Sequence, residues 1–237
     1  MNKKQRVLHH CNGHCLTIGD HQVWLLPEKA VFIDDMNSLL VSDVHLGKSE
    51  TFQAFGVPIS SSVNHESLTQ LLKLCRGLEP DHLFVLGDLF HSPFAIVEEV
   101  VEQWVAFVNA IESDVHLILG NHDRGMASDL KNLLIQCYTS AIDIGHFRLS
   151  HEPEPFAHDR RQSTHPYLNI CGHVHPCIRL RTQLDDLRLP CFYFEEQASR
   201  LTLPSFGAFT GGFEVRLGQG NRAYAIAEET IIPFEEL

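Results

Sequence analysis

The 237-residue sequence predicts an α/β fold in which two sheets face each other and helices flank them. Three features carry that reading. From Ser38 to Asp123, strand-length apolar runs alternate with segments of helical spacing, the rhythm of stacked βαβ units and a parallel sheet. After about Ile135 the texture changes to short alternating runs, which suit a second, mixed or antiparallel sheet. No repeat or linker divides the chain, so residues 1–237 are expected to pack as one domain.

The elements follow in order. Residues 1–15 hold His9, His10, Cys11, His14 and Cys15. A structural zinc site normally draws its ligands from both sides of a folded loop, so this segment is expected to be flexible or to lead into a strand. Ser38 to Asp43 (SLLVSD) reads as a strand. Val63 to Arg76 then sets Leu68, Leu71, Leu72 and Cys75 at helical spacing, with Gly77 and Pro80 as stops. His82 to Leu86 is a second strand running into Gly87-Asp88. Ala95 to Ile111 offers a helix face through Val97, Val100, Val101, Trp104, Val105 and Val108. Val115 to Leu119 is a third strand, running into Gly120-Asn121-His122-Asp123, and a short helix is expected near Ala127 to Ile135. The later strands are Phe147 to Ser150, Leu168 to Cys171, Ile178 to Thr182, Cys191 to Phe194 and Arg200 to Leu203. Glu152 to Pro166, with three prolines and five charges, is the longest evident loop.

Composition excludes several classes. At 44% hydrophobic and 20% charged residues the chain can bury a core, and disorder is not expected. Its longest apolar runs, such as Leu83 to Leu86, fall far short of the roughly 20 residues that span a bilayer. Polar, histidine-rich sequence stands where a signal peptide would need its apolar stretch, so a cytoplasmic protein is expected. Seven cysteines without a small-scaffold spacing read as reduced thiols, mostly buried, with Cys171, Cys177 and Cys191 as packing residues. A formal charge of −12 opposes coating long stretches of nucleic acid. Two divalent cations would offset about four of those charges at the site itself. Sixteen histidines, several beside Asp, Asn or Gly at strand ends, hint at metal.

The ligand candidates each follow a strand: Asp43 and His45 in DVH, Asp88 in GD, Asn121 in GNHD, His151 in LSHEP, and His173 and His175 in CGHVH. Strand ends of a sheet converge, so these side chains are expected to meet. Three oxygen and four imidazole donors without a thiolate suit Mn²⁺, Fe or Zn²⁺ and disfavour an all-oxygen Mg²⁺ or Ca²⁺ cage. Seven ligands are too many for one ion and fit two that share a carboxylate. Glycines stand before Asp88, Asn121 and His173, where close turns are needed. A lone D-x-H or G-D is common by chance, but the ordered set, each member after a strand, is not.

That ordered set resembles the calcineurin-like metallophosphoesterase family, with the pattern D-x-H, G-D, G-N-H-D or E, H and G-H-x-H from Asp43 to His175. The resemblance implies a four-layer αββα sandwich. It implies one ion held by Asp43, His45, Asp88 and His175, and another by Asp88, Asn121, His151 and His173, with Asp88 bridging. It also implies that His122, oriented by Asp123, donates to the leaving oxygen or stabilises charge on phosphorus. The ions would bind phosphoryl oxygens and lower the pKa of a bridging water.

LGKSETFQAFG (Leu46 to Gly56), LFHSPF (Leu89 to Phe94), GHVHPC (Gly172 to Cys177) and LPSFGAFTGG (Leu203 to Gly212) are similar to the bacterial branch of ligase-associated DNA damage response endonucleases. That resemblance implies a manganese-dependent nuclease or phosphodiesterase of DNA repair, partnered by a DNA ligase and a helicase. VPISSS (Val57 to Ser62) and the loop from Glu152 to Pro166 depart from the branch, which leaves substrate choice open. Lys48, His91 and Arg124 are candidates for substrate contact. Arg160 and Arg161 are equally readable as surface charge, and GAFTGG reads as a tight turn near the site. The expected function is hydrolysis of phosphodiesters in single-stranded DNA or small molecules. Phosphomonoesters or nucleotides are the alternative substrates. A non-catalytic scaffold is disfavoured, because decay of the site would have removed some of the seven ligands or His122.

Overall fold

The computed structural model describes residues 12–57, 59–60, 62–126, 129–155, 168–181, 186–208 and 210–235. His9, His10, Cys11, Arg160 and Arg161 lie outside the described residues, as does most of the loop from Glu152 to Pro166. The first sheet runs in sequence order through β1 (His14–Ile18), β2 (His21–Leu26), β3 (Ala30–Ile33), β4 (Ser38–Val41), β5 (His82–Val85), β6 (Asp114–Ile118) and β7 (Gln136–Tyr138). β1 to β4 pair antiparallel and β4 to β7 parallel, so the predicted parallel sheet is the inner half of a mixed one. The sequence reading did not foresee β1 to β3. Of the histidine- and cysteine-rich start, His14 and Cys15 do lead a strand, closed by the Gly19-Asp20 turn that pairs Ile18 with His21.

This sheet is buried on both faces, and its side chains alternate between two cores with the period-2 rule. Phe32, Leu39, Val41, Leu83, Val85, Val115 and Leu117 turn to one side. There they meet Leu68, Leu71, Leu74 and Cys75 of α2 (Ser62–Leu78) and Val100, Trp104 and Phe107 of α3 (Glu98–Asn109). A shorter helix, α1 (Lys48–Ala54), follows the DVH segment. Val31, Ile33, Leu40, Phe84 and Ile118 face the other way, onto the second sheet.

The second sheet comprises β8 (Ile142–Ile144), β9 (Phe147–Leu149), β10 (Leu168–Cys171), β11 (Pro176–Arg181), β12 (Asp186–Glu195), β13 (Arg200–Thr202), β14 (Phe213–Glu214), β15 (Asn221–Ala227) and β16 (Thr230–Phe234). Phe147, Leu149, Ile170, Phe192, Leu201 and Tyr224 supply its half of the inter-sheet core. Its other face carries a small cluster around Ile178, Cys191, Ala223 and Ala225. Among the described residues α2 and α3 pack on the first sheet, and α1 lies against α2 and the Pro93–Ala95 turn. The strand order is mixed, with β10 parallel to β9 and β13, and β12 antiparallel to β11, β13 and β15. No helix among the described residues is long and apolar enough to cross a membrane.

Two helix expectations shift for physical reasons. The Ala95 to Ile111 segment starts its α-helix only at Glu98, where two glutamates suit the positive first turn. Ala95 itself closes a 3₁₀ turn (Pro93–Ala95) packed hard against Gly47. The helix expected near Ala127 to Ile135 is instead two 3₁₀ turns, Arg124–Met126 and Asp129–Asn132, with Ala127 outside the described residues.

Candidate metal centre

All seven ligand candidates come together at the strand ends between the two sheets. Three overlapping groups have ligand atoms within 4.8 Å of one another: Asp43, His45 and His175; His45, Asp88 and His122; Asp88, His151 and His173. Asp43, His45, Asp88 and His151 are buried.

Backbone conformation sets this up. Asp43, His45, Asp88, His173 and His175 have φ between 50° and 66°, the left-handed region that L side chains occupy at a cost. The strain has a local function. Turning out of β4 at Asp43 lets its amide donate to the Gly87 carbonyl and the His45 amide to the Asp88 carbonyl, binding the two loops together. Two glycines make the approach possible. A Cβ on Gly87 (φ 83°) would overlap the His151 ring, and one on Gly120 would overlap the Asp88 carboxylate.

The polar side-chain atoms at the centre face one another closely. His151 Nδ1 lies 2.9 Å from the Leu86 carbonyl oxygen, which assigns its proton to that side. Its Nε2 is then a lone pair, yet it faces Asn121 Oδ1 at 3.0 Å, His173 Nδ1 at 3.1 Å and Asp88 Oδ2 at 3.5 Å. The second group repeats the pattern. His175 Nδ1 lies 3.3 Å from the Gly211 carbonyl oxygen, turning Nε2 towards Asp43 Oδ1 at 3.0 Å. Asp43 Oδ1 is fully buried and, although close to that nitrogen, has no well-aligned hydrogen-bond donor. A buried carboxylate oxygen without a donor is costly. A cation at each cluster removes the cost, so the donor set fits divalent metal.

The rest of each carboxylate is held rigidly. Asp43 Oδ2 accepts from the Ser42 hydroxyl at 2.5 Å and the His173 amide at 2.9 Å. Asp88 Oδ1 accepts from the His122 amide at 2.9 Å. The glycine-rich segment expected to turn near the site does so. Ser205 Oγ donates to the Asp43 carbonyl, and the Phe206 and Gly207 amides donate to Ser42 and Asp43 carbonyls. Contacts of this kind behind the ligands orient them. Nothing local in the sequence marks them.

Ionisation follows burial and company. Burial raises the Asp43 carboxyl, but His175, His151 and Ser42 outweigh it and hold its pKa below the ordinary value. Burial dominates at Asp88, whose pKa is raised although His151 opposes it. Burial lowers His45 to about 3, which keeps it neutral as a metal ligand must be. At His175 burial pulls down but Asp43 wins, and the pKa rises.

His122, one-third exposed, lies with its Nε2 3.8 Å from Asp88 Oδ2 and forms a ring cluster with His45 and His91, stacking on His91. Its expected partner behaves differently. The Asp123 carboxylate accepts the Gly120 amide at 3.0 Å, Phe90 at 3.3 Å and Leu89 at 3.4 Å. It therefore clamps the GNHD loop to the GDLF loop, and the expected orientation of the His122 ring by Asp123 gives way to that backbone role. Of the proposed substrate contacts, His91 lies at the rim beside His45, with burial and then Lys48 lowering its pKa to about 4. Lys48 opens α1 close by. Arg124 pairs with Glu152 at 3.1 Å on the surface, an exposed ion pair of little energetic weight that leaves the guanidinium available.

Fold and centre together define a metallohydrolase. The family model for calcineurin-like phosphoesterases matches residues 36–195, and the chain belongs to that family. It is accordingly a metal-dependent phosphoesterase. Among solved structures it resembles a nuclease, MPE, from Pseudomonas putida, with 30% identity over 94% of this chain and 100% of that one and a TM-score of 0.77. A protein of unknown function from Aquifex aeolicus is 25% identical over 58% of this chain and 78% of that one, TM-score 0.42. The Escherichia coli phosphoesterase Yfce is 17% identical over 82% and 96%, TM-score 0.41. No curated protein matches the chain.

Proposed function

We propose that this enzyme is a phosphodiesterase or nuclease that cuts single-stranded DNA or small phosphodiesters with two divalent ions, manganese first among them. The observation that carries the reading is a pair of ligand clusters linked by the His45–Asp88 approach: one of Asp43, His45 and His175, the other of Asp88, Asn121, His151 and His173. Likeness over nearly the whole chain to a protein described as a nuclease supports the diester side of it. Mixed oxygen and imidazole donors suit Mn²⁺, Fe or Zn²⁺ alike, and the resemblance to manganese-dependent nucleases puts Mn²⁺ first.

Asp43, His45, Asp88 and His175 would hold one ion, and Asp88, Asn121, His151 and His173 the other, with Asp88 between them. Bound divalent ions supply Lewis-acid activation of the phosphoryl group and of the attacking water. The chain's own contribution is orientation. His151 and His175 are fixed by the Leu86 and Gly211 carbonyls, and Asp43 by Ser42 and the His173 amide. His122, at the open side, donates a proton to the leaving oxygen from Nε2. A DNA ligase and a helicase as partners, a role in DNA repair and a cytoplasmic setting belong to the same proposal.

The test is hydrolysis of single-stranded DNA, duplex DNA, a chromogenic diester and a chromogenic monoester with Mn²⁺. The reading expects the diester and the single strand to be cut, the duplex more slowly. Activity on the monoester alone would replace it with the phosphatase alternative.

A further inference from the structure

Beside His175 lies a cleft of about 330 Å³ between the turn joining β2 to β3, the β11–β12 hairpin and the 205–212 segment. Its lining includes two cations, Lys29 and Arg188, and no carboxylate. In a chain with 30 acidic residues against 18 basic ones, an acid-free cleft touching the metal centre is selective ground for an anion.

Lys29 is placed there at a cost. It occupies the left-handed region (φ 64°), where Gly or Asn would be cheaper, and its amide closes the turn onto the Leu26 carbonyl at 3.0 Å. The side chain is half-buried and forms no ion pair among the described residues. Burial without a counter-charge lowers the ammonium pKa, and an incoming anion would reverse that. Arg188 reaches the cleft from across the hairpin. It stands opposite Arg179, whose own charge is taken by Asp186, while Arg188 forms no salt bridge among the described residues and feels Asp186 only at longer range. Thr210 and the Gly211-Gly212 backbone add hydrogen-bonding groups on the third wall.

We propose that this cleft is a phosphate subsite, in which Lys29 and Arg188 hold the phosphate of a polynucleotide strand that neighbours the one being cut. The inference rests on the diesterase reading and gives it a substrate class. A strand with consecutive phosphates fills both the metal centre and the cleft, whereas a small diester fills only the first. It also explains how an acidic protein grips DNA, with a single built contact next to the reacting phosphate in place of a broad basic face.

The test uses Lys29→Ala, Arg188→Ala and Lys29→Arg in the full chain. With Mn²⁺, the ratio of kcat/KM for a short single-stranded oligonucleotide to that for a chromogenic diester should fall about 3- to 10-fold in each alanine variant, through KM, and Lys29→Arg should recover most of it. Fluorescence anisotropy of the labelled oligonucleotide on the metal-stripped chain should show the same loss of affinity and a salt slope shallower by about one. An unchanged ratio with unchanged affinity overturns the subsite. Wild-type protein that hydrolyses neither substrate contradicts the diesterase reading instead, and the anisotropy then decides the cleft on its own.

Discussion

His122 is the side chain on which chemistry and metal binding separate most cleanly. It shares a group with His45 and Asp88, yet its ring is the most open of the three and its Nε2 stands 3.8 Å from the nearest Asp88 oxygen. His122→Ala is expected to retain bound metal and lower turnover by roughly 10²–10⁴, the range for a lost general acid. Parallel metal analysis and kinetics check it, and loss of metal would make His122 a ligand. His45 and His91 give a pH prediction. Both have pKa values below the unfolded value of 6.5, about 3 and about 4. Between those limits the unfolded chain binds protons that the fold refuses, so metal-free protein loses stability as pH falls from 6.5 towards about 4. Thermal unfolding of the stripped chain across that range should show it, with a shallower dependence in His91→Gln. At this scale the sequence displayed every ligand candidate, because each sits within a few residues of a strand end. It could not display the left-handed backbone at Asp43, Asp88 and His175, or the placing of Lys29 and Arg188 along one cleft.

The elements most legible were those with a strong local period. β4, β5, β6 and α2 sit within two or three residues of their expected bounds, because both-face burial and helical spacing leave plain apolar patterns. β1 to β3 were missed although Val23 to Leu26 and Ala30 to Ile33 are apolar runs as plain as β4, because no helical stretch follows them to complete a βα unit. β15 and β16, at the end of the second sheet, were missed for the same reason. Two substitutions separate packing from positioning. Leu71, fully buried where α2 meets the sheet, should cost about 2–5 kcal/mol as Leu71→Ala in denaturant unfolding, with metal binding kept in the folded fraction. Gly120→Ala, whose Cβ would overlap the Asp88 carboxylate, should do the converse, leaving the fold in place while reducing metal affinity and activity together. Normal metal content in Gly120→Ala would show that the loop can yield.

For the whole molecule the deciding quantities are the net charge of −12 and the clusters of carboxylate and imidazole ligand atoms between the sheets. The charge limits strand binding to a few phosphates, so affinity for single-stranded DNA should follow a shallow salt slope of about one to three counterions. Asp88→Asn, which alters the carboxylate shared by two of the three groups, should lose most of the metal and the activity. The direct test of the centre is a titration of Mn²⁺ into fully stripped protein, with bound metal and diester hydrolysis measured on the same samples. Activity should be absent at the start, rise with occupancy and saturate at about two ions per chain. Full hydrolysis by the stripped protein, or saturation of activity at a single ion, would contradict the binuclear centre.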